Sequence, residues 1–120
     1  MTLKECYEKL DGDYKDVLGR LGSERMVQKF MLKFLDDGSF GNLCCALDTG
    51  NCEEAFRAAH TIKGICQNLG FTKLWQSSSA ITETLRSGDT QGAEAMLDNV
   101  RGDYERTVNA IRMFQTELLG

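Results

Sequence analysis

The C-terminal segment of the chain carries an apolar residue at every third or fourth position over about seven helical turns. This spacing, close to 3.5 residues, is typical of a helix that packs one face against its neighbours. It predicts one long amphipathic helix whose inward positions are Ala93, Leu97, Val100, Tyr104, Val108, Ile111 and Leu118. The chain of 120 residues has no proline, and its other apolar residues are also spaced helically. An all-α fold is therefore predicted.

Capping residues and glycines divide the rest of the chain into shorter helices, at about residues 2–10, 13–20, 23–37, 39–48, 51–69 and 72–87. Ser23, Ser39 and Thr72 are the predicted N-caps, and Asn51 with Glu54 is predicted to form a capping box. Short loops make consecutive helices antiparallel. We therefore expect a single domain over residues 1–120, an up-and-down four-helix bundle with a core at about 23–118 and short N-terminal helices.

Two short runs of residues within these helices have more than one interpretation. The run at 76–79, Gln-Ser-Ser-Ser, is interpreted as polar helix surface, and its small serines would also let two helices approach closely. Met26, Phe30, Met31 and Phe34 are predicted to be core residues, although one helix cannot bury all four equally. Those left over would form an apolar docking patch.

Composition excludes several classes of function. A net charge of −4 disfavours a nucleic-acid partner, and no apolar run approaches the ~20 residues that span a bilayer. The N-terminus lacks the features of a signal peptide, so we expect a cytoplasmic protein, and a lone bundle is expected to be a monomer. The five cysteines include no C-x-x-C pair, which argues against a metal site. They are interpreted as small apolar residues, with a redox role for Cys44 and Cys45 as the alternative.

The only histidine of the chain, His60, is followed by Lys63 and Gly64, which share one helical face with it. The apolar stripe of the same helix runs through Ala55, Ala59, Ile62, Ile65, Cys66 and Leu69, about 130° away, so His60 is expected to face solvent. A glycine inside a helix costs about 1 kcal/mol relative to alanine. Its expected benefit here is access to the imidazole for another molecule or a phosphoryl group. The alternative is that all three are ordinary surface residues.

The segment Ala59-His60-Thr61-Ile62-Lys63-Gly64, with Asn68-Leu69-Gly70 and Leu74 after it, resembles the signature of histidine-containing phosphotransfer (HPt) domains of bacterial phosphorelays. The likeness extends over most of the chain and includes the turn at 46–51. The resemblance implies a phosphoryl group carried on His60, with Lys63 near the phosphate. It also implies that Gly64 leaves space for a receiver domain and that Gln67 is a hydrogen-bond donor one turn further along.

The next helix departs from the family pattern. Where many HPt domains have a glutamate or glutamine facing the histidine, this chain has Thr82, and Glu83 lies one residue off that face. A threonine there would bond the ring or the phosphate through its hydroxyl. Arg86, one turn beyond, matches a position that is basic in some members and would help to hold phosphate.

The resemblance implies a carrier and not an enzyme, because the chain has no glycine-rich nucleotide loop and no room for an ATP-binding domain. No cofactor is expected, since the partner receiver domain would supply Mg²⁺. The expected partners are response-regulator receiver domains, hybrid sensor histidine kinases, or both. Neutral imidazole, the nucleophilic form, is common near pH 7 because an unperturbed histidine side chain has a pKa of about 6.5. The alternatives are a docking adaptor that never carries phosphate and a phosphatase that uses Gln67.

Overall fold

The computed structural model describes residues 1–120 and consists of seven α-helices without a β-strand. In chain order they are α1 Leu3–Lys9, α2 Tyr14–Leu21, α3 Glu24–Lys33, α4 Ser39–Asp48, α5 Cys52–Leu69, α6 Thr72–Arg86 and α7 Thr90–Leu119. A short 3₁₀ turn, Phe34–Asp36, follows α3. The predicted all-α class and the long C-terminal helix are both confirmed. None of the helices combines the length and the hydropathy that crossing a membrane requires.

Helices α4 to α7 form a bundle in which α5 packs against both α4 and α6, and α7 closes the bundle against α6 and α4. The helix predicted at 23–37 is α3 with its 3₁₀ turn, and it contacts α5 and α7. One continuous core fills the bundle, and its largest fully buried side chains include Leu43, Ile62, Leu74, Ile81 and Ile111. The four-helix bundle with short N-terminal helices is therefore confirmed.

The connection between α1 and α2 lies against the turn between α5 and α6. The backbone N–H of Asp13 donates to the carbonyl of Gly70 at 2.8 Å. Gly70 has a φ of +70°, and a Cβ on it would lie 2.8 Å from the Asp13 carbonyl oxygen. A Cβ on Gly12 would likewise lie 2.7 Å from the Gly70 carbonyl. Two backbone segments thus meet at a distance that only glycine permits.

Three predicted caps differ in the structure. Helix α4 begins after Gly38, and the N–H of Ser39 is satisfied by the Asp37 carboxylate at 2.9 Å, so Ser39 is the first helical residue and not the cap. Helix α6 begins after the buried Phe71, which leaves Thr72 inside the first turn. Asn51 does cap α5 through the N–H of Glu54 at 3.1 Å. The reciprocal half of the capping box is missing, because the Asn51 N–H already donates to the Ala46 carbonyl.

Two expectations about burial also needed correction. Ser77 and Ser78 are buried, with both hydroxyls donating to the Leu74 carbonyl, so these two residues are not polar surface, whereas Gln76 is exposed and Ser79 is half-buried. The interpretation that the small serines let two helices approach closely stays a prediction. At the end of α7, Leu118 is 51% exposed, because the last turn extends past the core, and Phe114 is the final buried aromatic residue there.

Candidate functional site

His60 lies midway along α5 and is exposed, while its neighbours Ala59 and Ile62 are buried in the core. The buried positions of α5 are Ala55, Ala58, Ala59, Ile62, Cys66 and Leu69, close to the predicted stripe. Ile65 is only partly buried. The helical phase of the sequence therefore places the imidazole on the outer face of the helix that is packed most extensively in the molecule.

Phe56, one turn before His60, is a site residue that the sequence reasoning missed. Its ring stacks on the imidazole with the ring centroids 5.8 Å apart and the two planes inclined by only 11°. The i, i+4 spacing places the two side chains on one face and was a usable signal. The imidazole therefore has an aromatic neighbour on its own helix.

Arg86, at the end of α6, reaches the same aromatic ring from the adjacent helix. Its guanidinium carbon lies 5.0 Å from the centroid of Phe56. The guanidinium also pairs with the Glu83 carboxylate at 3.2 Å, and both side chains are more than half exposed. Arg86 and Glu83 are therefore surface groups beside Phe56, and an ion pair this exposed is easily exchanged for another anion.

Lys63 and Gly64 follow His60 on the outward side of α5. Lys63 is half-buried, and its ammonium takes part in none of the ion pairs of the molecule. A Cβ built on Gly64 would meet no other atom within 4 Å. No internal contact therefore requires a glycine at this position, and the surface next to the imidazole is open.

Thr82 does not share this surface. It is fully buried, and its hydroxyl donates a 2.6 Å hydrogen bond to the Ser78 carbonyl, one turn earlier in α6. Threonine is too short to extend from this inward position to the exposed face. The expectation that Thr82 would hydrogen-bond to the ring or to a phosphate is therefore wrong, and the exposed Glu83 is paired with Arg86 instead.

Gln67 lies on the exposed side of α5, one turn beyond Lys63 and Gly64. Its backbone carbonyl accepts a 2.6 Å hydrogen bond from Arg20 of α2, whose guanidinium also pairs with Asp16. The Gln67 side chain makes no hydrogen bond within the protein. Its amide is therefore free, and the role predicted for it stays a prediction.

A groove of about 620 Å³ lies where α2, α3 and α5 meet, on the C-terminal side of His60. Its apolar walls come from Leu21, Phe30, Phe34, Ile65 and Leu69, and its rim carries Arg20, Lys33, Asp36 and Asp37. Asn68, one turn after Gly64 on the same face, also lines it. Of the four predicted core residues at 26–34, Met31 and Phe34 are buried, whereas Met26 and Phe30 are half-buried, and Phe30 lines the groove. The docking role of such a patch stays a prediction.

The cysteines are all free thiols, and no group of three or more His, Cys, Asp or Glu side chains is arranged to hold a metal ion. Burial raises the pKa of the Cys6 thiol to about 11 and also raises the pKa of Cys66, to which the charge of Asp37 adds. Cys45 is exposed on α4. The buried pair is therefore held in the unreactive thiol form.

An exposed imidazole that shares a helical face with a free lysine and an open glycine can carry out nucleophilic group transfer with a partner that approaches from outside. No curated protein and no solved structure is similar enough to match the chain. The family model of the Hpt domain matches residues 26–111, which include α4 to α6 and most of α3 and α7. Hpt domains are carriers in histidine phosphotransfer of two-component signalling and are not kinases. The chain belongs to the Hpt domain family.

Proposed function

We propose that this protein is a phosphorelay intermediate. His60 accepts a phosphoryl group from the aspartyl phosphate of one receiver domain and passes it to the aspartate of another. The observation that carries the proposal is the exposed imidazole with Gly64 one turn away, where a side chain would meet only open space. Because no contact inside the protein requires a glycine at this position, its presence is better explained by the close approach of a partner.

In the transfer step, the lone pair of one ring nitrogen of neutral His60 attacks the phosphorus of the aspartyl phosphate. A nitrogen–phosphorus bond forms as the phosphorus–oxygen bond to the aspartate breaks, and the carboxylate leaves with the electron pair. The second ring nitrogen keeps its proton, so the phosphorylated ring is first cationic. Lys63, one turn along α5 from His60, would supply positive charge near the transferred group, and Arg86, beside Phe56, adds positive charge to the same side of α5. The Mg²⁺ that phosphoryl transfer uses would belong to the receiver.

The groove between α2, α3 and α5 supports a protein partner in preference to a small substrate. Its apolar walls and mixed-charge rim start one turn from Gly64 and are open to solvent. Apolar surface with a polar rim is the usual composition of a transient protein interface. A receiver that seats on this groove would cover His60 from the side that Gly64 leaves open.

The test is phosphate transfer from receiver domains that have been phosphorylated with a small phosphodonor. We expect the wild type to acquire acid-labile, base-stable label, and His60→Gln to acquire none. The control variant is Cys45→Ser, which changes an exposed side chain on α4 and should be labelled normally. Equal labelling of wild type and His60→Gln would refute the proposal.

The same experiment separates the alternatives. A docking adaptor would bind receivers with unchanged affinity in wild type and His60→Gln and would never be labelled. A phosphatase would release inorganic phosphate beyond one equivalent, and Gln67→Ala would abolish that release. The free amide of Gln67 is the group that such an activity would use to orient water.

A further inference from the structure

The imidazole of His60 has no hydrogen-bonding partner on α6. Thr82 of α6 is buried, and its hydroxyl donates a hydrogen bond to the Ser78 carbonyl instead. Glu83 points into its pair with Arg86. A nucleophilic ring nevertheless has to be held at a defined angle, because in-line attack requires its lone pair to point at the phosphorus.

The stack on Phe56 can provide that constraint. The two ring planes are nearly parallel, inclined by 11°, at a centroid separation of 5.8 Å, within the range of favourable aromatic pairs. Stacking fixes the plane of the imidazole. Both nitrogens lie in that plane, so fixing it confines the lone pair to that plane and removes the orientations that point out of it.

Phe56 is itself held from the neighbouring helix. The Arg86 guanidinium lies 5.0 Å from its ring centroid, a cation–π distance, and the Glu83 carboxylate holds the guanidinium at 3.2 Å. The partly buried ring also packs against the core cluster. The Phe56 ring is therefore restricted by the core and by a contact from α6, and it can in turn restrict the imidazole of His60.

We propose that Phe56 is a positioning residue for phosphoryl transfer, in which an Arg86–Phe56–His60 stack takes the place of a polar side chain on α6. The proposal rests on the proposed function, since it concerns the geometry of the same transfer step. Phe56 forms no bond to phosphate and acts only through the orientation of the imidazole.

The test compares Phe56→Leu, which removes the aromatic ring, with Phe56→Tyr, which keeps it, and with Thr82→Val, which removes only the buried hydroxyl. The readouts are the labelling rate of His60 by a phosphorylated receiver, its labelling rate by phosphoramidate, and the proton chemical shifts of the ring. His60 is the only histidine, so its ring resonances can be assigned without ambiguity. Circular dichroism and thermal unfolding establish that each variant is folded.

We expect Phe56→Leu to slow labelling by about tenfold, a change of 1.4 kcal/mol in the barrier, and to change the chemical shifts of the His60 ring protons. Phe56→Tyr should restore both to nearly wild-type values, and Thr82→Val should change neither. Retention of the rate by Phe56→Leu, or its loss in Thr82→Val, would overturn the proposal.

Failure of the proposed function gives a different result. If no receiver labels the wild type, the relay role is lost, but phosphoramidate still reports the reactivity of the ring and the chemical shifts still report the stack. Unchanged reactivity and shifts in Phe56→Leu would then overturn the positioning role separately.

Discussion

The hydroxyl of Tyr7 in α1 donates a 2.7 Å hydrogen bond to the backbone carbonyl of Leu69, the last residue of α5. The last carbonyls of a helix have no partner within the helix, so this bond satisfies one of them in the core. It links the first helix, which precedes the segment matched by the family model, to the helix that carries His60.

We expect Tyr7→Phe to lower the free energy of unfolding by about 1–3 kcal/mol, because it leaves the Leu69 carbonyl buried without a partner. Urea unfolding measures the change. The matched control is Tyr14→Phe, which removes an exposed hydrogen bond to Glu24 and should cost about 0.5 kcal/mol or less. Equal effects of the two variants would contradict this reading of the Tyr7 bond.

Stability and transfer should respond in opposite directions at Gly64. Gly64→Ala should raise the free energy of unfolding by up to about 1 kcal/mol, because the new methyl group meets open space and alanine favours the helix. Gly64→Gln should leave the protein folded and slow labelling from a receiver by about tenfold or more, because the longer side chain occupies the approach to His60.

The control for Gly64 is Gly102, an exposed glycine of α7 with equally open space around it. Gly102→Gln adds the same side chain to a different helix. It should be labelled at the wild-type rate, and a comparable loss of labelling there would mean that Gly64 has no special part in docking.

Alkaline pH should destabilise the fold through Cys6. Burial raises the pKa of this thiol from 9.0 to about 11, so the unfolded chain ionises first as the pH rises. The contribution of the buried Cys6 thiol to the free energy of unfolding is fully present below pH 9 and declines between pH 9 and about 11. Unfolding free energies of wild type and Cys6→Ala, measured across this range, should converge. Parallel curves would contradict the expectation, and Cys45→Ser is the exposed control.

Thiol reagents should modify Cys45 first, because it is the exposed cysteine on α4. Cys6 and Cys66 should react slower by about a hundredfold or more, since reaction requires the core to open and both are held as thiols. The rate is followed with a chromogenic disulfide. Survival of the fast phase in Cys45→Ser would show that another cysteine is more accessible than its burial indicates.

Periodicity and caps predicted the helices and the outward position of His60, because both depend on local geometry. The long repeat of α7 and the stripe of α5 are signals of this kind. The burial of Thr82 was not predicted from such local signals. Which positions of α6 face inward depends on how the whole helix packs in the bundle, and Thr82 is buried there together with Ser77 and Ser78.

The Phe56–His60 stack shows a second limit of prediction from sequence spacing. Its spacing from His60 was visible in the sequence, but the near-parallel stack depends on the rotamers of both rings and on the position of Arg86 in another helix. Pairs of this kind are specified by tertiary packing and not by spacing alone. The cap at Asn51 is similar. Its backbone N–H donates to the Ala46 carbonyl instead of to the Glu54 side chain, and the spacing in the sequence does not reveal this competing partner.

The close approach of Gly12 and Gly70 has a consequence for recognition. With backbone against backbone at this point, α2 cannot move relative to the end of α5 without breaking the hydrogen bond between Asp13 and Gly70. This contact therefore holds together two of the elements that line the groove, α2 and the end of α5, before any partner arrives. If a receiver domain binds there, as proposed, it would meet a partly preformed surface, and its binding would cost less conformational entropy than binding to a mobile one.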